Sequence, residues 1–469
     1  MSRNPYKNLI NNSIAFTIAN LGSKIISIVM VPLYTYVLTT EEYGTVDIIT
    51  TLNSLLLPII FLSTSDAILR YAMDKRYEKK QVMSSAMCIY IVGTCILFAI
   101  LPIVALKTPA VKKYILLFGA LFICNGLMQA LNQFLRASDH VKAFATNGVI
   151  YTFSFAGLNV LFLVKLHLGI YGYLYSMILA DLVCIVYAIV ISHVWKFLCF
   201  SVSKDMTKIM LRYSIPLIPN ALMWWIMDAS DKFVITYFLG VGANGLYAIS
   251  KKLPTLIDTF HSIFNQAWQI SAIQENDDPD SKEFTSRIYK MYFVFLFIVV
   301  SILLIVARPL IVYILSENYF NTWMYIPFLL VSVAFSSLSG FLSSKLIASE
   351  QTKLIFKTTI IGAIVNTGCN FLLIPLMGIN GAGLATLIGF AMVMLIRERL
   401  LKKAGLLEIT FSKVGIFITV SAQIVVYYLL PLWWAVGVMF IIFFLLLYFE
   451  RKIIIPFIRR IIVKLLKRG

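Results

Sequence analysis

The chain has 469 residues, 60% of them hydrophobic, a mean hydropathy of +0.87 and a formal net charge of +18. A soluble domain carries only about 45–50% apolar residues, so the composition excludes a water-soluble globular protein. A membrane, not nucleic acid, is then the first explanation for the basic charge.

Apolar runs of the ~20 residues needed to cross a bilayer recur along the chain. They predict fourteen helices, at 12–37, 46–69, 85–106, 114–135, 144–164, 171–194, 213–239, 245–272, 288–307, 323–347, 355–376, 381–400, 411–430 and 432–449. Only Pro431 separates the last two, so twelve or thirteen spans are also compatible with the pattern. Backbone groups in lipid must be paired within the segment, which makes these helices and not barrel strands. The longest polar breaks, near 70–84, 195–212 and 274–287, are connectors too short to hold a catalytic domain. The first run is too long for the apolar core of a cleavable signal and carries Lys24. Six cysteines without a CxxC pair argue against a zinc site or a disulfide framework.

With both termini cytoplasmic, 31 of the 40 Lys and Arg fall on the inner face, five on the outer face and four within spans. That asymmetry is the one the positive-inside rule requires. Beyond Arg451 the tail mixes Ile453–Ile455 and Ile461–Val463 with Arg459, Arg460, Lys464, Lys467 and Arg468, a pattern expected of an amphipathic helix on an anionic leaflet.

Three motifs repeat in order. Tyr36-Val-Leu38 with Gly44 recurs 201 residues later as Tyr237-Phe-Leu239 with Gly245. Ala137-Ser138-Asp139 with Lys142 recurs 211 residues on as Ala348-Ser349-Glu350 with Lys353, and Gly169-Ile170-Tyr171-Gly172 recurs 209 residues on as Gly378-Ile379-Asn380-Gly381. The unit is six helices, so both copies enter from the same side. This predicts an all-α membrane protein with two pseudo-symmetric six-helix lobes, 1–200 and 201–405, then two additional helices in 406–450 and a basic cytoplasmic tail in 451–469. In transporters built this way the substrate site lies where the repeats meet.

The opening Gly22-Ser23-Lys24 with Pro32-Leu33-Tyr34-Thr35-Tyr36 and Glu41-Glu42-Tyr43-Gly44, the loop Ala348–Lys353, and Asn366 with Asn370 through Pro375 and Gly378 to Gly383 carry a family resemblance over the whole length. The chain resembles the polysaccharide-transporter branch of the multidrug/oligosaccharidyl-lipid/polysaccharide exporter superfamily, most of all the Wzx-type oligosaccharide flippases. The resemblance implies a two-lobed, fourteen-helix fold in the bacterial cytoplasmic membrane. It also implies alternating access that moves undecaprenyl-diphosphate-linked oligosaccharides from the inner to the outer leaflet, for capsule, O-antigen or exopolysaccharide synthesis. A lipid II flippase and a cation-coupled multidrug exporter are the alternatives in the same superfamily. The glycan itself is not legible.

Ionisable residues inside spans are costly and are functional candidates by default. Lys24, Lys232, Lys251 and Lys252 are the candidates for a cationic cavity holding the diphosphate, against a reading in which Lys251 and Lys252 snorkel and Asp231–Lys232 is structural. Asp228 and Asp258 lie in the same two spans, and Asp231 with Lys251 is a possible pair across the hairpin. Asp66 and Arg70, four apart, form an intrahelical pair or part of an inner gate. Asp181, alone in its helix, is either a proton or sodium coupling site or a satisfied buried carboxyl. Trp224, Trp225 and Trp268 are candidates for stacking on sugars or for packing, Trp433 and Trp434 for the interfacial belt, and Pro216, Pro219 and Asn220 predict a bend. No hydrolase, metalloprotease or P-loop signature is present, so the expectation is a transporter and not an enzyme. It would need no metal or other cofactor, draw on a proton or sodium gradient, bind membrane lipid and no nucleic acid, work beside polysaccharide polymerase machinery, and suffice as a monomer.

Overall fold

The computed structural model describes residues 26–451 apart from 75, 108–111, 139, 200–201, 276–277, 350 and 410. Lys24 and the basic tail from residue 452 onward lie outside the described residues. The described chain is helical, in the order α1 (Ile26–Val37), α2 (Thr40–Ile60), α3 (Thr64–Ala72), α4 (Lys79–Lys107), α5 (Ile115–Ala137), α6 (Val141–Asn159) and α7 (Gly169–Ser192). Then come α8 (Lys204–Ser214), α9 (Ile218–Leu239), α10 (Val241–Ser250), α11 (Thr255–Gln274) and α12 (Ser281–Ile314). The last five are α13 (Ile326–Ala348), α14 (Thr352–Met377), α15 (Ile379–Lys403), α16 (Val414–Leu429) and α17 (Leu432–Phe449). Among the described residues ten helical stretches are long and apolar enough to cross a membrane, and α1 and α16 are shorter apolar helices. The predicted spans from the second onward each overlap one or more of these elements, and of the first, 12–37, only residues 26–37 are described.

Three predicted spans are not single straight helices. The second breaks after Pro58, whose ring removes a helical N–H in the last turn of α2. Leu62 and Ser63 follow with φ of +50° and +49°, and the chain restarts as α3. A left-handed backbone at a residue with a side chain costs ~1–2 kcal/mol, so the packing around it must over-determine this break. The eighth span is interrupted by a turn at Lys251–Pro254 between α10 and α11. The bend expected at Pro216 and Pro219 is a short 3-10 turn, Ile215–Leu217, leading into α9.

Local chemistry sets the other ends. Thr39 and Glu42 form a reciprocal capping box at the start of α2: Glu42 N donates to Thr39 Oγ1 at 3.2 Å and Thr39 N to Glu42 Oε2 at 2.9 Å. The duplicated glycines Gly169 and Gly378 both sit at the start of a helix with φ of +54° and +62°, which explains why the repeat keeps glycine there.

By internal packing the chain divides into two compact units, Met1–Gly245 and Leu246–Gly469. In the first, α9 packs on α2, and α2 crosses the start of α10 at the other duplicated glycines. A Cβ on Gly44 would lie 2.1 Å from the Val241 carbonyl oxygen, and one on Gly245 2.0 Å from that of Thr40. Small residues let helix backbones approach this closely in a membrane. In the second unit α13 is the central helix, its side chains buried against α11, α12, α14 and α15. Trp268, Phe341, Phe264 and Tyr292 stack beside it, with ring centroids 4.2–4.3 Å apart and planes within 10° for Trp268–Phe341 and Phe264–Tyr292.

Candidate substrate cavity and its charged neighbours

Two polar stripes meet in the first unit. Thr50, Asn53 and Ser54 share one face of α2, and Asn125, Gln129 and Gln133 share one face of α5, because residues three and four apart on a helix are neighbours. Together with Ser63–Asp66 at the helix break, they enclose a cavity of about 470 Å³ completed by Tyr90, Met177 and Ala221. That volume falls within the ~300–1,000 Å³ of ordinary ligand pockets. Among the described lining residues Asp66 is the one charged group, and the remainder of the polar lining is amide and hydroxyl. Asn53 Oδ1 and Thr64 Oγ1 keep no hydrogen-bond partner among the described residues.

A second cavity, about 550 Å³, shares Ser63, Asp66 and Ala221 with the first and adds Arg70 and Tyr213. The expected Asp66–Arg70 ion pair does not form among the described residues. Both residues line this space.

Asp181 on α7 is 1% exposed. Asn125 Nδ2 donates to its Oδ2 at 2.6 Å, whereas Oδ1 has no partner among the described residues. Asn125 therefore joins the cavity wall directly to a buried carboxyl.

Lys232 on α9 is not free to meet a substrate in this conformation. Its ammonium donates to Asp47 Oδ1 at 2.9 Å and Thr51 Oγ1 at 3.1 Å, and Asn244 Nδ2 reaches the other Asp47 oxygen at 3.1 Å. The Lys232 and Asp47 side chains are 16% and 15% exposed, so the pair is largely desolvated. The structural partner expected from sequence was Asp231. That residue is buried and its Oδ1 accepts from the Lys232 backbone N–H at 2.9 Å, so the ammonium goes elsewhere. Asp231 belongs to the first unit and Lys251 to the second.

Lys251 and Lys252 stand half-buried in the turn between α10 and α11, with the Lys251 ammonium 5.7 Å from the Tyr247 ring centroid, a cation–π contact. Trp225 donates its indole N–H to the Thr51 carbonyl at 3.3 Å and to Ser54 Oγ at 3.2 Å, beside the polar stripe of α2, and Trp224 is exposed. Trp268 is 3% exposed, donates to the Phe341 carbonyl at 3.1 Å and stacks on that ring. It is a core residue here, with no open face for a sugar. The side chains of Asn220 and Asp228 lie outside the described set.

Two bases assigned by sequence to the cytoplasmic face are buried in the second unit. Lys345 is fully buried and donates to Ser281 Oγ at 2.8 Å. Arg397, 1% exposed, donates to Ser339 Oγ (2.6 Å), Ser343 Oγ (2.7 Å), Thr358 Oγ1 (2.9 Å) and Thr359 Oγ1 (2.9 Å), and to the Ser339 and Ile355 carbonyls. The hydroxyls around Arg397 carry no charge, and a hydroxyl-rich helix face reads as ordinary packing in a sequence. Asn366, Asn370 and Thr386 form a second buried polar cluster: Asn370 Nδ2 donates to Asn366 Oδ1 at 3.2 Å and Asn366 Nδ2 to Thr386 Oγ1 at 3.3 Å. Asp47 and Arg397 both lay inside predicted spans, so the rule that flagged Lys232 applied equally to them.

The sequence profile of the polysaccharide biosynthesis protein family matches residues 9–269, and that of the lipid II flippase MurJ matches residues 269–449. No curated protein sequence matches significantly. Among solved structures the fold is similar to a lipid II flippase MurJ in an inward closed conformation, with a TM-score of 0.72 and 16% identity over 94% of this chain and 100% of that one. It is also similar to an inward-facing multidrug resistance MATE family transporter of the MOP superfamily, with a TM-score of 0.69 and 14% identity over 83% and 98%. An outward-facing MATE family transporter gives a TM-score of 0.60 and 17% identity over 86% and 96%. These likenesses carry the fold, and the first profile spans more than half of the sequence. The chain is an integral membrane protein that belongs to the polysaccharide biosynthesis protein family of the multidrug/oligosaccharidyl-lipid/polysaccharide exporter superfamily.

Proposed function

We propose that the protein is a flippase of the bacterial cytoplasmic membrane, with both termini cytoplasmic, that carries undecaprenyl-diphosphate-linked oligosaccharides to the outer leaflet by alternating access. The observation that carries this reading is the amide- and hydroxyl-lined cavity between α2, α3 and α5. Hydroxyl-rich, uncharged groups are what a sugar can satisfy hydrogen bond for hydrogen bond. A pocket for cationic drugs would need more than the one carboxylate of Asp66, so the multidrug reading is weaker.

In this reading the glycan occupies the polar cavity, with Trp224 and Trp225 beside it. Of the lysines considered for the diphosphate, Lys232 is committed to Asp47 in this conformation. Protein groups do no bond-breaking. They replace water around the head group while the polyprenyl tail stays in lipid. Asp181, joined to the cavity wall through Asn125, is the coupling residue: gaining or losing a proton or cation there would change the bond that orients Asn125. The match of the MurJ profile to residues 269–449 favours lipid II as the second reading, since that cargo shares the diphosphate carrier.

The test is reconstitution in vesicles with a labelled undecaprenyl-diphosphate oligosaccharide. Wild-type protein should speed its translocation, and Gln129→Leu should abolish this while the protein still folds. Translocation of lipid II alone would select the second reading, and translocation of neither lipid would end the proposal. Asp181→Asn should remove the dependence on a proton or sodium gradient. An unchanged dependence would exclude Asp181.

A further inference from the structure

The short helix α8, which joins the sixth and seventh spans, has two unlike faces. Met206, Met210 and Ser214 are buried against the unit, packed on α3 and α4. Lys204, Lys208 and Arg212, spaced four apart, are exposed together on another face. All three line a groove of about 780 Å³. The rest of its wall is mostly apolar: Val202, Leu211, Ile215 and Pro216, of which Val202 and Ile215 are 37% and 46% exposed.

Two features mark this groove. Its described lining contains no acid, and none of its three bases forms an ion pair among the described residues. By contrast Lys282, Arg287 and Lys413 are paired with Glu408, Glu283 and Glu398. A row of unpaired cations directly above exposed aliphatic surface is the pattern of a helix lying in the headgroup layer of a membrane. The bases attract anionic phosphate, and the aliphatic floor accepts the glycerol and first methylenes below it.

We propose that the α8 groove is a binding site for the phosphate head group of an anionic phospholipid of the leaflet from which this connection emerges. Lys204, Lys208 and Arg212 hold the phosphate oxygens as charged donors. Val202, Leu211, Ile215 and Pro216 cover the apolar part of the same molecule. The site is separate from the sugar cavity and does not depend on the cargo proposed above. Because α8 runs through the turn Ile215–Leu217 directly into α9, which carries Lys232, a bound lipid fixes the start of that helix at the membrane surface.

Native mass spectrometry of the full chain in detergent, titrated with phosphatidylglycerol or phosphatidylcholine, tests this. Each base near a membrane surface is worth about a fivefold change in binding. Lys208→Gln should therefore weaken phosphatidylglycerol binding about fivefold, and Lys204→Gln/Lys208→Gln/Arg212→Gln about a hundredfold, with phosphatidylcholine unaffected. The exposed bases Arg399, Lys402 and Lys403, changed together to Gln, supply the same loss of charge elsewhere and should leave binding within about twofold. Should the triple variant fail to fold, Lys208→Gln alone decides. Undiminished binding in that variant, or an equal loss in the Arg399/Lys402/Lys403 control, would overturn the proposal. So would displacement of the lipid by inorganic phosphate or by undecaprenyl diphosphate at equal concentration, either of which would assign the groove to a different phosphate.

Discussion

Lys232 in the first unit is answered by an opposite charge, whereas Arg397 in the second is answered without one. Lys232 faces the carboxylate of Asp47, with Thr51 and Asn244 completing the group. Arg397 faces four hydroxyls and two carbonyls contributed by α13 and α14. The ammonium is a compact point charge that one carboxylate neutralises, whereas the planar guanidinium has five donors that dipoles from several helices can occupy. The difference bears on function. An ion pair can be broken and remade as helices move, because each partner can be solvated alone at a cost. The hydroxyl cage around Arg397 ties α13, α14 and α15 together through six hydrogen bonds. Lys232 is thus held by an exchangeable pair in the unit that also holds the polar cavity, and Arg397 by a staple across three helices.

The largest effect should come from Asp47→Leu, which strands Lys232 with hydroxyl partners alone. Breaking one side of a buried pair costs about 3 kcal/mol or more, read as a lowered unfolding midpoint in detergent. Asp47→Leu with Lys232→Met should regain most of it. A double variant no better than the single would show that the pair is not the source of the cost. Next, Arg397→Lys should cost about 2 kcal/mol, because an ammonium reaches at most three of the six acceptors and stays desolvated. Arg397→Met should cost less, since Ser343, Thr358 and Thr359 already donate to carbonyls of their own helices. The reverse order would mean that the cage is worth more than the charge it solvates. Ser343→Ala removes one acceptor and should cost about 1 kcal/mol; a loss matching that of Arg397→Lys would make the cage cooperative.

The smallest effect is expected at the surface. Glu408, in the loop after α15, is held below its ordinary carboxylate value by the hydrogen bond and charge of Lys282. Any stability it lends is present above the unfolded-state value and is lost as pH falls through the lowered folded one. Exposed pairs contribute little, so Glu408→Gln should leave the melting temperature and its pH dependence unchanged. A clear shift would show that this loop is not merely a connector.

Legibility followed the physics of the solvent. Lipid forbids unpaired backbone, so every span announced itself as an apolar run. The duplicated glycines proved structural for reasons visible only afterwards, Gly169 and Gly378 through positive φ and Gly44 and Gly245 through backbone contact. Lys232 was legible as a costly buried charge, yet Asp47, 185 residues away along the chain, was not legible as its partner. The polar stripe Asn125, Gln129 and Gln133 was in plain view at helical spacing. Those residues carry no charge, and amides in a span look like packing until a cavity is seen in front of them. For Trp268 the sequence left sugar stacking and packing both open, and the structure places it in a core.

Sequence alone determined that the chain is a helical membrane protein carrying repeated motifs, since both depend on local composition and order. Only the tertiary structure decided which charges are neutralised, where the helices break and which polar faces line a space. Those outcomes depend on groups far apart in the chain arriving within 3 Å of one another, and no local pattern records that distance.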